Sequence, residues 1–268
     1  MRDARPRFPF TRPRVPPPER WLGHLETAYA TRWFSNHGPL VRRLERALAD
    51  DVGPDREAVT CASATAGLVG ALLALDVRGP VAVPAFTFPA TAHAIQLAGC
   101  EPVLCDVDPE RWELAPEAAA QAVEEHGCVA IVHVRAYGLC RDLGPLEAVA
   151  RAAGVPLVVD AAAAYGGADP QGRPVGGAGV AEVFSFHATK AFAVGEGGAV
   201  LAEPELAARV RHVLNFALAD GEVTGRGLNG KMSEHAAAVA LAMREELADH
   251  LAARRAVVAR LQAAVAAA

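Results

Sequence analysis

Residues 182–202 read EVFSFHATKAFAVGEGGAVLA. Two short apolar runs, 182–186 and 198–202, stand at its ends, and the connector between them carries Gly195 and Gly197. A parallel neighbour needs a crossover of about a dozen residues or more, usually a helix. This connector has no helical pattern, so the second run is expected to return antiparallel beside the first.

Working outward, apolar runs recur at 81–84, 102–107, 128–134 and 156–160, and helical patterns lie between them at 64–76, 89–98, 115–125 and 143–153. Strands that are apolar on both faces and alternate with helices predict a parallel sheet covered on both sides. The expected fold class is therefore α/β, with a mostly parallel sheet, one antiparallel strand and helices on both faces. Upstream, residues 1–18 are rich in Pro and Arg and read as an extended arm. Residues 40–51 have helical spacing, with Leu40, Leu44 and Leu48 on one face. Downstream, a helix is expected from Glu205 to about Leu218, then a Gly-rich turn region from Gly221 to Gly230. Residues 233–268 read as one long Ala/Leu/Arg helix in which the chain ends.

Composition narrows the function classes. Of the 268 residues, 52% are hydrophobic, enough for a sizeable core, and the net charge is −5. Lys and Arg are scattered and form no basic stripe, which argues against nucleic acid. Charges, Gly or Pro interrupt every apolar run short of a membrane span, and the N-terminus lacks an apolar signal core. The five cysteines have no CxxC spacing and sit mostly beside apolar residues. They read as reduced thiols of a cytoplasmic protein, with no metal site expected.

Chemistry-bearing residues gather at strand ends, where an open α/β sheet binds its ligands. Asp160 closes the run PLVVD, and Lys190 follows the run EVFSF in the next strand. The two could share one crevice, and a plain salt bridge between them is the alternative. Ser63-Ala64-Thr65 opens a helix; hydroxyls and free amides there make an anion site, although a Ser or Thr also serves as an ordinary N-cap. Phe86 and Phe88, just after the run 81–84, offer a flat ring or a core aromatic. Together these residues suit pyridoxal 5′-phosphate (PLP) chemistry. A lysine forms the Schiff base, an aspartate keeps the pyridine nitrogen protonated, and a helix start holds the phosphate. His93, His133 and His187 read equally well as loop or core histidines.

Six segments carry a family resemblance: WFSNHGPLVRRLERALA (33–49), SATAGL (63–68), VPAFTFPATAHAI (83–95), VVDAAAAYGG (158–167), FSFHATKAFAVGEGGAV (184–200) and GLNGKMSEHAAAVALA (227–242). In this order the chain resembles the DegT–StrS family of PLP-dependent sugar aminotransferases, which have the aspartate-aminotransferase fold. The resemblance implies Lys190 as the Schiff-base lysine and Asp160 as the partner of the pyridine nitrogen. It implies a phosphate site of Ser63, Ala64, Thr65 and Ser185, and Phe88 as the stacking ring. Asn229 would reach the phosphate in the site of a partner subunit, so a homodimer is expected. Ala64 stands where the family usually has Gly, which a backbone contact tolerates at negative φ. Ala163 stands where Gln or His is usual and cannot hydrogen-bond the cofactor.

The resemblance further implies transfer of an amino group from an amino acid, typically glutamate, to a keto group of a nucleotide-linked sugar. The spellings FSFHATK and NGKMSE lean towards 4-keto-6-deoxy sugars. Family members that dehydrate their substrate carry His at the lysine position, so Lys190 implies transamination. Residues 19–231 are expected to form the PLP-binding large domain, and 232–268 a helix that starts a small domain otherwise absent from this chain. The competing expectation is a truncated homologue, inactive or only PLP-binding, that serves as a scaffold or partner subunit.

Overall fold

The computed structural model describes residues 11–267. Helices α1 (Pro18–Thr31) and α2 (Pro39–Asp50) precede β1 (Glu57–Cys61) and α3 (Ala64–Ala74). The alternating part follows: β2 (Pro80–Pro84), α4 (Pro89–Leu97), β3 (Glu101–Cys105), a small hairpin of β4 (Val107–Asp108) and β5 (Glu113–Leu114), α5 (Pro116–His126), β6 (Ala130–Val134), α6 (Gly144–Ala153) and β7 (Leu157–Asp160). Then come β8 (Ala181–Ser185), β9 (Gly198–Ala202), α7 (Pro204–Leu214), the hairpin of β10 (Leu218–Ala219) and β11 (Glu222–Val223), and α8 (Glu234–Ala266).

Seven strands form one sheet in the order β1-β9-β8-β7-β6-β2-β3. β9 runs antiparallel to both its neighbours, and every other pairing is parallel. The mostly parallel sheet with one reversed strand is therefore present, and β9 is the strand expected to reverse. Successive side chains alternate between two apolar layers, as a strand's period of two requires. On β9, Val200 and Ala202 join Leu68, Leu72, Ile95 and Leu214 beneath α3, α4 and α7. Ala199 and Leu201 join Leu44, Leu48, Leu146 and Met243 on the opposite face, beneath α2, α6 and α8. The strands β6, β8 and β9 are buried along their whole length.

Several details differ from expectation, among them the helix α1, which was not expected, and the run 102–107, which ends as a strand at Cys105 and leaves Val107 to the β4–β5 hairpin. Residues 1–10 of the Pro/Arg arm lie outside the described residues; 11–17 have no regular structure and Pro18 already begins α1, with proline in its first turn. The strand β1 was not expected. It is short and carries Glu57 and Thr60, and its burial comes from pairing with β9. The helix expected to reach Leu218 stops at Leu214, because Phe216 and Ala217 take left-handed φ values of 64° and 52° and turn the chain into the β10–β11 hairpin. That hairpin stands in place of a simple Gly-rich turn.

One long-range contact ties the two ends of the fold together. Glu234, fully buried in the first turn of α8, accepts the Leu40 amide at 2.7 Å and the Val41 amide at 3.0 Å. It thereby caps the N-terminus of α2, whose own cap position, Gly38, has no side chain to do so. A Cβ on Gly38 would sit 2.6 Å from the Glu234 carboxyl carbon, so the glycine makes room for the cap. The first half of α8 then packs Ala237, Ala238 and Leu241 against the core, while Val257, Val258, Leu261 and Val265 further along are more than half exposed.

Beside this cap, His37 holds φ 57°. Its pKa is pulled from 6.5 down to about 4, first by burial and then by the charges of Arg211, Lys231 and Arg42. The unfolded chain takes up this proton near pH 6.5, the folded chain only near pH 4. Between those values the unfolded state binds more protons, so stability falls as pH drops through that window.

Two outcomes are expected. Replacing Glu234 with Ala leaves two buried amides unpaired and should cost about 3 kcal/mol in urea unfolding, with Glu234→Gln losing less because its amide oxygen still accepts. A cost below about 1 kcal/mol for the alanine would remove the cap from this account. For His37, asparagine tolerates the left-handed backbone. The fall in Tm between about pH 7 and about pH 4.5 should therefore be smaller in His37→Asn than in the wild type.

Candidate active site

The carboxyl ends of β2, β6, β7 and β8 and the N-terminus of α3 surround a cleft of about 620 Å³. It gathers Ser63, Ala64, Thr65, Phe88, Asp160, Ala163, Ser185 and Lys190. Asn229 lies outside it, exposed, with its Oδ1 accepting the Lys231 ammonium at 2.8 Å.

Asp160 ends β7 and is 5% exposed. Its Oδ2 accepts the Thr91 hydroxyl at 2.7 Å and its Oδ1 the Ala162 amide at 3.1 Å. Burial raises its pKa above the ordinary carboxylate value, against the opposing pull of Thr91, Ala162, Lys190 and His133. A cation brought to this carboxylate from the cleft would restore its charged form.

Thr91 was not among the sequence candidates. It lies three residues after Phe88 on α4, and its hydroxyl also shares a 2.7 Å hydrogen bond with that of Thr87. The only hint in sequence was its place one helical turn beyond the aromatic, on the face that looks back at the strand ends.

Ser63 caps α3, its Oγ accepting the Ala66 amide at 3.1 Å. The cap reading is therefore correct as far as it goes. The Ala64 and Thr65 amides precede the first bond inside the helix and remain available to an anion. Ala64 is helical, so the absence of Gly brings no left-handed strain. Ser185 ends β8, with its Oγ accepting the His187 amide at 3.2 Å.

Lys190 sits on the tight return from β8 to β9. Ala188 N–H donates to Gly195 O at 2.8 Å and Lys190 N–H to His187 O at 2.9 Å. Phe186, Phe192 and Tyr165 support this loop from below, with ring centroids 4.6–5.6 Å apart. The Tyr165 hydroxyl donates to Asp51 at 2.8 Å and anchors the aromatic group to the end of α2. His187 lines the cleft and shares a 2.9 Å hydrogen bond with Thr189. His133 is buried 3.8 Å from Glu113, and His93 is exposed.

The donor set fits PLP. Free amides and hydroxyls at a helix start suit a phosphate, a buried carboxylate suits a protonated ring nitrogen, an exposed Phe88 suits a flat ring, and a lysine suits an aldehyde. Ala163 offers only a small apolar contact.

Comparison with known proteins places the chain in a family. The profile of the DegT/DnrJ/EryC1/StrS aminotransferase family matches residues 19–268. Protein Rv3402c of Mycobacterium tuberculosis is 34% identical over 93% of the chain. The dTDP-4-amino-4,6-dideoxy-D-glucose transaminase of Shigella dysenteriae is 33% identical over 88%. The crystal structure of DesI in the presence of its TDP-sugar product superposes with a TM-score of 0.81 at 40% identity over 88% of the chain. The chain spans 63%, 64% and 60% of these three proteins' own lengths. With the family match running over residues 19–268 and the fold shared, the chain belongs to the DegT/DnrJ/EryC1/StrS aminotransferase family.

Proposed function

We propose that this chain forms the PLP-binding part of an aminotransferase. It would move an amino group from an amino acid, glutamate in the first instance, onto the keto carbon of a nucleotide-linked 4-keto-6-deoxy sugar. One observation carries the reading: a buried strand-end carboxylate, Asp160, and Lys190 open into the same cleft as a helix-start anion site. The name of the Shigella relative, with its amine on carbon 4 of a 4,6-dideoxy sugar, supports the sugar class.

When bound, PLP supplies an aldehyde that accepts the amino group and a ring that draws electrons from the reacting carbon. The chain's own residues hold and steer it. The Ala64 and Thr65 amides, with the Ser63 and Ser185 hydroxyls, would hold the phosphate. Phe88 would supply the stacking surface for the ring, and Ala163 would offer it a small apolar contact without a hydrogen bond. The Asp160 carboxylate, kept in place by Thr91 and Ala162, holds the positive charge on the ring nitrogen. Lys190 Nζ would hold the cofactor and, as a free amine, would carry a proton between the substrate carbon and the cofactor. That task requires the neutral amine.

In this reading residues 19–231 are the cofactor domain, and 232–268 begin a smaller C-terminal domain. The working unit is a homodimer in which Asn229 of the partner subunit completes the phosphate site. Its exposed place outside the chain's own cleft supports that assignment. The cytoplasm is the proposed compartment, in keeping with five free cysteines, four of them buried.

Borohydride reduction of the PLP-loaded protein should fix the cofactor on Lys190, located by peptide mass. A reducible adduct that persisted in Lys190→Ala would sink the assignment. For Asp160→Asn, PLP should still bind, because the amide oxygen can still accept the Ala162 N–H and the amide NH2 can donate to the Thr91 hydroxyl. The half-reaction with glutamate should slow by about a hundredfold or more, since the charge opposite the ring nitrogen is gone. Wild-type half-reaction rates in a folded Asp160→Asn protein would refute the charge role.

A further inference from the structure

The mouth of the cleft carries three aromatic rings that the chemistry above does not use. Phe86, Trp112 and Tyr137 are 43%, 49% and 78% exposed. They come from separate segments: the β2–α4 loop, the β4–β5 hairpin and the turn after β6. Their centroids lie 6.0–6.1 Å apart, with the rings tilted to one another by 59–68°. Phe86 and Tyr137 line the same cleft as Lys190, and Trp112 braces both.

Two of the three rings stand on strained backbone. Trp112 has φ 59° and Tyr137 φ 53°, a region that bulky residues avoid. Local bonds hold each one there. Trp112 N–H donates to Asp108 O at 2.7 Å, while the Asp108 carboxylate accepts the Glu110 and Arg111 amides at 2.8 and 2.9 Å. After Tyr137, Gly138 N–H donates to Arg135 O at 3.0 Å, and Gly138 lies so close to the Ala163 carbonyl that no Cβ would fit. The Tyr137 turn is thus keyed to the loop that follows Asp160. Left-handed backbone that presents a large ring to solvent costs stability and returns no core burial, and such strain gathers at binding sites.

Size indicates what the rings receive. A cleft of about 620 Å³ suits one drug-sized molecule. With cofactor and sugar inside, the remainder of a nucleotide-linked substrate must lie at the mouth. Its base is a flat ring, and flat rings stack on aromatic faces in a sequence-tolerant way. We infer that Phe86, Trp112 and Tyr137 form a stacking subsite for the nucleobase of the substrate. This inference rests on the nucleotide-sugar reading of the cleft and adds the residues that recognise the base.

Isothermal titration of the PLP-loaded protein with thymidine diphosphate and guanosine diphosphate tests it, with inorganic diphosphate as the ligand that lacks a base. The expected result is saturable binding of at least one nucleotide, weakened about tenfold in Trp112→Leu and in Tyr137→Leu. Inorganic diphosphate should bind alike in all three proteins, and borohydride should still fix PLP on Lys190 in each. Nucleotide affinity unchanged in both variants would overturn the subsite, as would a wild type that binds neither nucleotide. So would a wild-type dimer that dissociates on Trp112→Leu in sedimentation with no change in nucleotide affinity, because the rings would then face a second copy of the chain. Failure of PLP fixation with ring-dependent nucleotide binding intact would sink the cofactor reading and leave the stacking subsite standing.

Discussion

The site depends on a register. Gly198, the first residue of β9, pairs with Ser185 on one side and Cys61 on the other. Because β9 runs against both neighbours, it levels the carboxyl ends of β1 and β8, which would otherwise have no reason to finish together. Ser63 follows β1 by two residues and Lys190 follows β8 by five, so one ladder sets the anion site and the lysine side by side. The approach is close. A Cβ at Gly198 would lie 2.6 Å from the Phe184 carbonyl oxygen and 2.9 Å from the Ala64 amide nitrogen. Any side chain there would push α3 away from the return loop and break the alignment at its pivot.

Burial then makes the polar groups of the site definite. Asp160 is 5% exposed, and its two hydrogen bonds fix where the carboxylate points. A second buried carboxylate works on the far side of the same sheet. Glu182, fully buried on β8, accepts Arg135 Nε at 2.9 Å and the Ala178 amide at 3.1 Å, and also holds the Gly176 amide. Arg135 N–H in turn donates to the Asp160 carbonyl at 3.0 Å. The strand that carries Asp160 is therefore held from its neighbours by backbone and ion pair together. Breaking one partner of such a pair leaves an uncompensated charge in the core.

How much of this the sequence disclosed follows from the range of each cause. The parallel strands were legible because burial on both faces writes a continuous apolar run, and the reversal of β9 was legible because residues 187–197 are too few and too glycine-rich for a crossover. Asp160, Lys190 and the Ser63 helix start were legible because strand ends and helix starts leave local marks. Thr91 was not, since nothing near it in sequence says that its hydroxyl meets a carboxylate 69 positions away. Glu234 was hidden for the same reason, with its partners 193 and 194 positions distant. The strand β1 was missed because its burial belongs to β9 and not to its own composition. The left-handed backbone of Trp112 and Tyr137 has no counterpart in residue type, because neither is a residue that prefers it.

The cap that Glu234 places on α2 also sets an order of events during synthesis. The ribosome delivers α2 almost two hundred residues before the carboxylate that completes it. Until then, the helix start carries unanswered amides, and the apolar faces of α1 and α2 lack the α8 surface against which they pack. The N-terminal helices, although made first, cannot complete their packing until α8 has been made. A nascent chain would therefore expose sticky helical surface until residue 234 and the helix that follows have been made, the condition under which chains engage chaperones or aggregate.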